Sequence, residues 1–312
     1  DLAILIITNS LWGDFEEHLV ERFSKQNVPY IIVHNKGDLA QLNSELKTSL
    51  QALPQKPTIV EMSMITKVGF IQLVDAIKQT IPDSSWQIPT LLGEIIGKGD
   101  IVLLITPIDT EAPAGRLILP QVQAIRDILD NDAIAIVLKE TEVVGFLGST
   151  GIKPAIAVTD SKIFSLADSL IPADVPLTSF SILLARLKGD FDSYIKGTPK
   201  IAELKDGDRV LILESCTHHV SCEDIGRVKI PTWIRNFTSK ELEFDFVAGL
   251  DKLPRAITDY ALVIQCGGCM ITPKQLKSRL LPAIEAGIPI TNFGMAIAYV
   301  QGIYNRAVAV FE

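Results

Sequence analysis

Apolar residues in this chain gather in short runs separated by longer amphipathic stretches, and the alternation persists from end to end. The runs at 2–7, 30–33, 58–61, 101–105, 133–138, 155–158, 210–213, 261–264 and 288–290 are mostly aliphatic. They lack the polar alternation of a half-exposed strand, so they read as strands covered on both faces. The stretches between them carry helical spacing at 15–26, 42–53, 70–81, 120–129, 142–146, 162–170, 273–286 and 295–300, with one longer helix over 179–194. Strand–helix alternation of this kind predicts an α/β protein with three consecutive parallel-sheet domains, at 1–83, 84–195 and 196–312. A Pro-, Ser- and Asp-rich linker at 82–89 separates the first two. The stretch Gly-Asp-Arg-Val-Leu-Ile-Leu at 207–213 echoes Gly-Asp-Ile-Val-Leu-Leu-Ile at 99–105. Within the long helix, Phe180, Ile182, Leu183, Leu184 and Leu187 give more apolar surface than one stripe requires, which predicts a subunit interface.

Composition supports that reading. The chain has 312 residues, 47% of them hydrophobic and only 6% aromatic, which suits aliphatic parallel sheets under helices. A formal charge of −8 argues against a nucleic-acid partner, whose footprint is a basic patch. No apolar run approaches the roughly 18–20 residues that span a bilayer. The start shows neither a signal peptide nor an Arg-rich transit segment, and four cysteines do not make a disulfide framework in a chain of this size. A reducing cytoplasm is the expected compartment. The chain opens at Asp1 directly on a strand pattern without an initiator methionine, which predicts a truncated protein.

Two motifs carry chemistry. Asn35-Lys36-Gly37-Asp38 follows the second strand run, at the carboxyl end where α/β ligands bind. As an N-K-x-D motif, it would use the Asp38 carboxylate to accept from the N1–H and N2–H₂ edge of guanine, which adenine does not offer. The Lys36 stem would lie over the base, and Asn35 would tie neighbouring loops together. After the next strand comes Ser63-Met64-Ile65-Thr66-Lys67-Val68-Gly69, similar to the serine loop that closes on guanine O6 in GTP-binding proteins, although Met64 stands where alanine is usual. A polar strand-end turn is the plain alternative for Asn35-Lys36-Gly37-Asp38. No G-x-x-x-x-G-K-[ST] cradle precedes them, since Gly97-Lys98-Gly99 has the wrong spacing. With no group to hold phosphate or Mg²⁺, the chain as it stands is expected not to hydrolyse GTP.

The second constellation is Glu214-Ser215-Cys216-Thr217-His218-His219 with Gln265-Cys266-Gly267-Gly268-Cys269, each directly after a strand run. Soft ligands at strand ends point to a metal or iron–sulfur site. Thr272-Pro273 reads as a helix start, whose positive end would lower the thiol pKa values, and Gly267 and Gly268 would leave room for a cluster. A closed Cys₃His zinc site and a three-cysteine cluster with a labile fourth position use the same residues, so the residues alone leave both open. Glu214, two positions before Cys216 on the same strand face, and His218 are candidates for the fourth position. Cys222 is expected to be a spectator, and Asp109, Thr110, Glu111 and Arg116 have no metal spacing.

The stretch Thr106-Pro107-Ile108-Asp109 followed by Ala112-Pro113-Ala114-Gly115-Arg116-Leu117-Ile118-Leu119-Pro120-Gln121-Val122-Gln123 closely resembles the dimerisation domain of the HydF family, the maturation GTPases of [FeFe]-hydrogenase, with Ala114 where the family usually has lysine. The N-K-x-D loop upstream and the cysteines downstream keep the family's order, so the resemblance extends over the whole chain. It implies that 1–83 is the carboxyl half of a GTPase domain, 84–195 a dimerisation domain and 196–312 a cluster-binding domain. It also implies a [4Fe–4S] cluster on Cys216, Cys266 and Cys269, with Cys216 and His218 matching the family's Cys-x-His; Gln265 departs from a position often occupied by histidine. The implied function is a homodimeric scaffold that receives a di-iron precursor from two radical-SAM maturases and delivers it to the hydrogenase apoprotein, with GTP regulating partner exchange. A zinc-stabilised, GTP-responsive binding protein without redox chemistry is the alternative.

Overall fold

The structure is a computed structural model that describes residues 2–25, 27–82, 90–108, 115–215, 224–249 and 251–311. Cys216, His218, His219, Cys222, the linker beyond Pro82 and Asp109, Thr110 and Glu111 lie outside the described residues. The chain divides into two compact units, Asp1–Ile88 and Pro89–Glu312.

In the first unit, β1 (Ala3–Thr8), α1 (Asp14–Lys25), β2 (Tyr30–Asn35), α2 (Ser44–Gln51), β3 (Thr58–Glu61) and α3 (Phe70–Thr80) form a parallel sheet in the order β1-β2-β3. Central β2 is covered on both faces. Tyr30 and Ile32 pack with Val20 and Leu50 from α1 and α2, while Ile31 and Val33 pack with Ala76 from α3. On edge strand β1 only alternate residues are covered: Leu5 and Ile7 are buried, while Ile4 and Ile6 are 42% and 61% exposed. Asn43 starts α2 by accepting hydrogen bonds from the amides of Glu45 and Leu46.

The second unit holds two four-stranded parallel sheets. The first contains β4 (Ile101–Ile105), β5 (Ile134–Leu138), β6 (Ile156–Thr159) and β7 (Leu177–Ser179), ordered β5-β4-β6-β7. Its helices are α4 (Leu119–Asp130), α5 (Val143–Thr150), α6 (Phe164–Leu170) and α7 (Phe180–Lys188), with α8 (Phe191–Gly197) leading onward. The second sheet contains β8 (Arg209–Glu214), β9 (Glu243–Ala248), β10 (Leu262–Gln265) and β11 (Ile290–Asn292), ordered β11-β10-β8-β9. Around it lie α9 (Ile230–Thr238), α10 (Pro273–Glu285), α11 (Phe293–Val300) and α12 (Tyr304–Val308). The two Gly-Asp echoes lead into β4 and β8, and the likeness extends to topology. Each is a central strand with the next strand in sequence on one side and the third on the other. All three sheets are parallel throughout, so the α/β class holds.

Two expectations are corrected. The helix over 179–194 is two helices. Ser179 caps α7 through the Ile182 amide, Asp190 caps α8 through the Ser193 amide, and Gly189 sits at the break. A Cβ on Gly189 would lie 2.7 Å from the Tyr194 hydroxyl, so the corner closes only without a side chain. The apolar excess of α7 is used inside the chain rather than between subunits. Ile182 and Ala185 enter a core shared by both sheets, with Leu103 and Ile105 from one and Leu211 and Val263 from the other. Phe180, Leu183 and Leu184 join Leu92, Val102 and Ile128 in a second cluster. Because one core spans both sheets, residues 89–312 form a single packed body.

Candidate functional site

The guanine-type loops lie side by side at the carboxyl ends of neighbouring strands β2 and β3. Asn35 Oδ1 accepts a hydrogen bond from the Met64 amide at 3.3 Å, the loop-to-loop tie expected of that asparagine. Gly37 N–H donates to Met62 O at 3.0 Å, and Lys36 takes a left-handed φ of 62°. Lys36 and Asp38 both face solvent, whereas Ser63 is buried with its hydroxyl accepting from the Thr66 amide at 3.2 Å. Gly69 closes the serine loop at φ 80°, and a Cβ there would lie 2.8 Å from that of Met62.

The cysteine site is built on sheet order. After β8 the chain passes to β9 on one side, and after β10 it passes to β11 on the other, so the crevice between β8 and β10 is a topological switch point. Cys266 continues β10 and donates its N–H to Leu213 O of β8 at 2.9 Å. Its sulfur lies 3.1 Å from both the amide nitrogen and the hydroxyl of Ser215, the residue next to Cys216. Buried Gln265 donates from Nε2 to the Ser215 hydroxyl at 2.9 Å and to the Cys266 sulfur at 3.4 Å. Cys266 and Cys269 are unbridged and partly exposed. Thr272 opens α10 just beyond them with a reciprocal capping box, accepting from the Gln275 amide at 3.2 Å.

Here too the structure corrects two expectations. Burial pushes the Cys269 thiol pKa up and neighbouring Cys266 adds to the rise, while Lys188 and the backbone N–H groups of Cys269 and Met270 oppose it, so the net direction is opposite to the lowering expected for this thiol. Gly268 answers mainly to backbone geometry, since it takes φ +66° and a Cβ would press on Leu276 Cδ1. Gly267 alone has ordinary room, with Leu184 Cδ1 at 3.6 Å.

Three basic side chains surround the site, and none of them is singled out by the sequence. Arg279 of α10 donates to Glu214 O at 2.6 Å and Val247 O at 2.8 Å, binding the ends of β8 and β9. Arg227 donates to Glu214 Oε2 from Nε at 3.0 Å and Nη2 at 2.7 Å. Lys188 of α7 donates to the carbonyl oxygens of Gly268, Cys269 and Ile271 at 2.9, 3.2 and 3.1 Å. The Glu214 side chain is 2% exposed, and Oε1 has no hydrogen-bond partner among the described residues. Breaking a buried ion pair costs about 3–5 kcal/mol. Arg227 is one-third exposed, so Arg227→Met is expected to cost less, about 2 kcal/mol, measured by urea unfolding.

Two thiols with an oxygen donor nearby suit a thiophilic metal or an iron–sulfur cluster. Among the described residues no group of three or more His, Cys, Asp or Glu is gathered that could hold a metal, and Cys216, which follows Ser215 directly, lies outside them. No curated protein matches the chain. The family model for the hydrogen maturase F dimerization domain matches residues 91–189, and that for the hydrogen maturase F tetramerization domain matches residues 192–310. The two meet at the Gly189–Asp190 break between α7 and α8 and together cover more than two thirds of the 312 residues. The chain therefore belongs to the hydrogen maturase F (HydF) family.

Proposed function

We propose that this protein is a scaffold and carrier in [FeFe]-hydrogenase maturation. It binds a [4Fe–4S] cluster through Cys216, Cys266 and Cys269, holds a di-iron precursor and delivers it to the hydrogenase apoprotein. The observation that supports this most is the unbridged Cys266 thiol at the β8/β10 switch point, its sulfur against Ser215, next to Cys216, with a second free thiol three residues on at Cys269. When bound, the cluster supplies an iron with an exchangeable position, through which a second iron unit can be bridged. The chain's own residues hold the thiols: Gln265 and Ser215 orient Cys266, and Arg279 ties the strand ends behind it. Glu214 Oε1 or His218 is the proposed donor to the fourth position. The test is anaerobic reconstitution with iron and sulfide analysis and EPR. Brown protein with thiolate-to-iron absorption supports the reading, and colourless protein with one zinc per chain overturns it in favour of a zinc-stabilised regulator. Glu214→Ala and His218→Ala are expected to change the EPR signal of the reduced cluster in at least one case; two unchanged spectra would remove both from the fourth position.

GTP control is proposed on the two tied loops of the first unit, where solvent-facing Asp38 is available to a base. Asp38→Ala is expected to abolish preference for guanine over adenine nucleotides, measured by competition binding.

Self-association is proposed at edge strand β5. Its sequence Ile-Ala-Ile-Val-Leu has no charged or polar gatekeeper, and Ile134 and Val137 are 49% and 39% exposed. Val137→Lys is expected to convert dimer to monomer in sedimentation at unchanged circular dichroism; an unaltered dimer would place the seam elsewhere. The two radical-SAM maturases are the proposed donors of the precursor. Among the described residues no helix is long and apolar enough to cross a membrane.

A further inference from the structure

Lys188 is 7% exposed, and no carboxylate lies within ion-pair distance of it among the described residues. Its three N–H donors match three acceptors, the carbonyls of Gly268, Cys269 and Ile271. Neutral carbonyls satisfy its hydrogen bonds but leave its charge uncompensated, an arrangement that burial makes unfavourable. Burial lowers the lysine's pKa, and the neighbouring Cys269 and Cys266 oppose that fall. The lysine also ends α7, so it joins the segment matched by the dimerization model to the cysteine loop in the segment matched by the tetramerization model.

We infer that Lys188 is a positioning residue with two effects: it holds the Gly268–Cys269–Ile271 carbonyls in one loop conformation, and its ammonium, seated on the Cys269 carbonyl, brings a positive charge to the cysteine loop. The second effect rests on the cluster reading above; the first does not. A thiolate-bound cluster carries net negative charge that grows on reduction, so a nearby cation favours the reduced form. Removing the charge therefore lowers the reduction potential.

The test compares wild type, Lys188→Met and Lys188→Arg in the full chain. In the metal-free protein, hydrogen exchange of the amides at 266–272 is expected to accelerate at least tenfold in Lys188→Met relative to wild type. In reconstituted protein, an EPR-monitored redox titration is expected to show the one-electron equilibrium of Lys188→Met shifted about tenfold toward the oxidised state, about 59 mV. Lys188→Arg keeps the charge and loses the three-carbonyl fit, so its loop exchanges faster while its potential stays within a twofold shift in equilibrium. Unchanged exchange and unchanged potential in Lys188→Met would overturn the inference. If that variant does not fold, an Arg variant with wild-type loop exchange or with the full tenfold potential shift overturns it. Wild-type protein that takes up no iron sinks the cluster reading and the charge effect together, and the exchange data still decide the loop effect.

Discussion

Cys266→Ser is expected to leave the protein folded and to abolish stable incorporation of iron and sulfide, to less than a tenth of the wild-type content per chain. The thiol is partly exposed and outside the apolar cores, so a serine of similar volume costs little in packing. It replaces a soft sulfur ligand by a hydroxyl that is not deprotonated at neutral pH and has little affinity for iron. The same outcome is expected for Cys269→Ser and Cys216→Ser, whereas Cys222→Ser retains its iron. Iron and acid-labile sulfide assays, with absorbance in the thiolate-to-iron region, decide the matter. Full cluster content in Cys266→Ser would remove the switch-point site as the seat of the chemistry.

Gly197→Ala is expected to destabilise the second unit by about 3 kcal/mol. Gly197 ends α8 with an ordinary φ of −83°, so the glycine answers no torsional demand there. The demand is spatial. A Cβ would fall on the Ile290 carbonyl oxygen and 2.7 Å from the Ile290 nitrogen, both main-chain atoms of edge strand β11. The neighbour cannot rotate away as a side chain would, so α8 must lift off β11. Thr198, next along, donates to Tyr194 O at 2.7 Å and lies 2.6 Å from the Thr291 hydroxyl, so the displacement would also disturb a buried polar contact. The expected fall in thermal midpoint is about 6–12 °C, at 2–4 °C per kcal/mol for a unit of this size. A shift below 2 °C would show that the joint is looser than its geometry implies.

What could be read from sequence is what local chemistry controls. The strand at 101–105 coincides with β4, because a strand buried on both faces is written as an uninterrupted aliphatic run. The start of α10 is legible for the same reason: Thr272, Pro273 and Gln275 form a cap within four residues. Asn35 and Ser63 could be placed at strand ends from their spacing, and the structure joins their loops through Met64 N–H.

The break at Gly189 escaped, because its cause is the ring of Tyr194 folding back against it. The role of α7 was misread for a related reason. Its apolar excess fits two cores at once, and only the arrangement of both sheets supplies the second.

The cysteine site divides along the same line. Sequence by itself placed Cys216, Cys266 and Cys269 at the ends of parallel strands, since ligand-bearing loops follow buried runs. Tertiary structure decided that β8 and β10 are neighbours whose chains leave in opposite directions, which opens the crevice where Cys266 lies against Ser215. It also decided the electrostatics. Burial raises the Cys269 thiol pKa, while Lys188, Arg227 and Arg279 converge on the site from separate helical segments. The physical reason is range: a pattern of side chains along the chain sets which surface a segment must bury, whereas desolvation and the meeting of charges depend on which distant segment buries it.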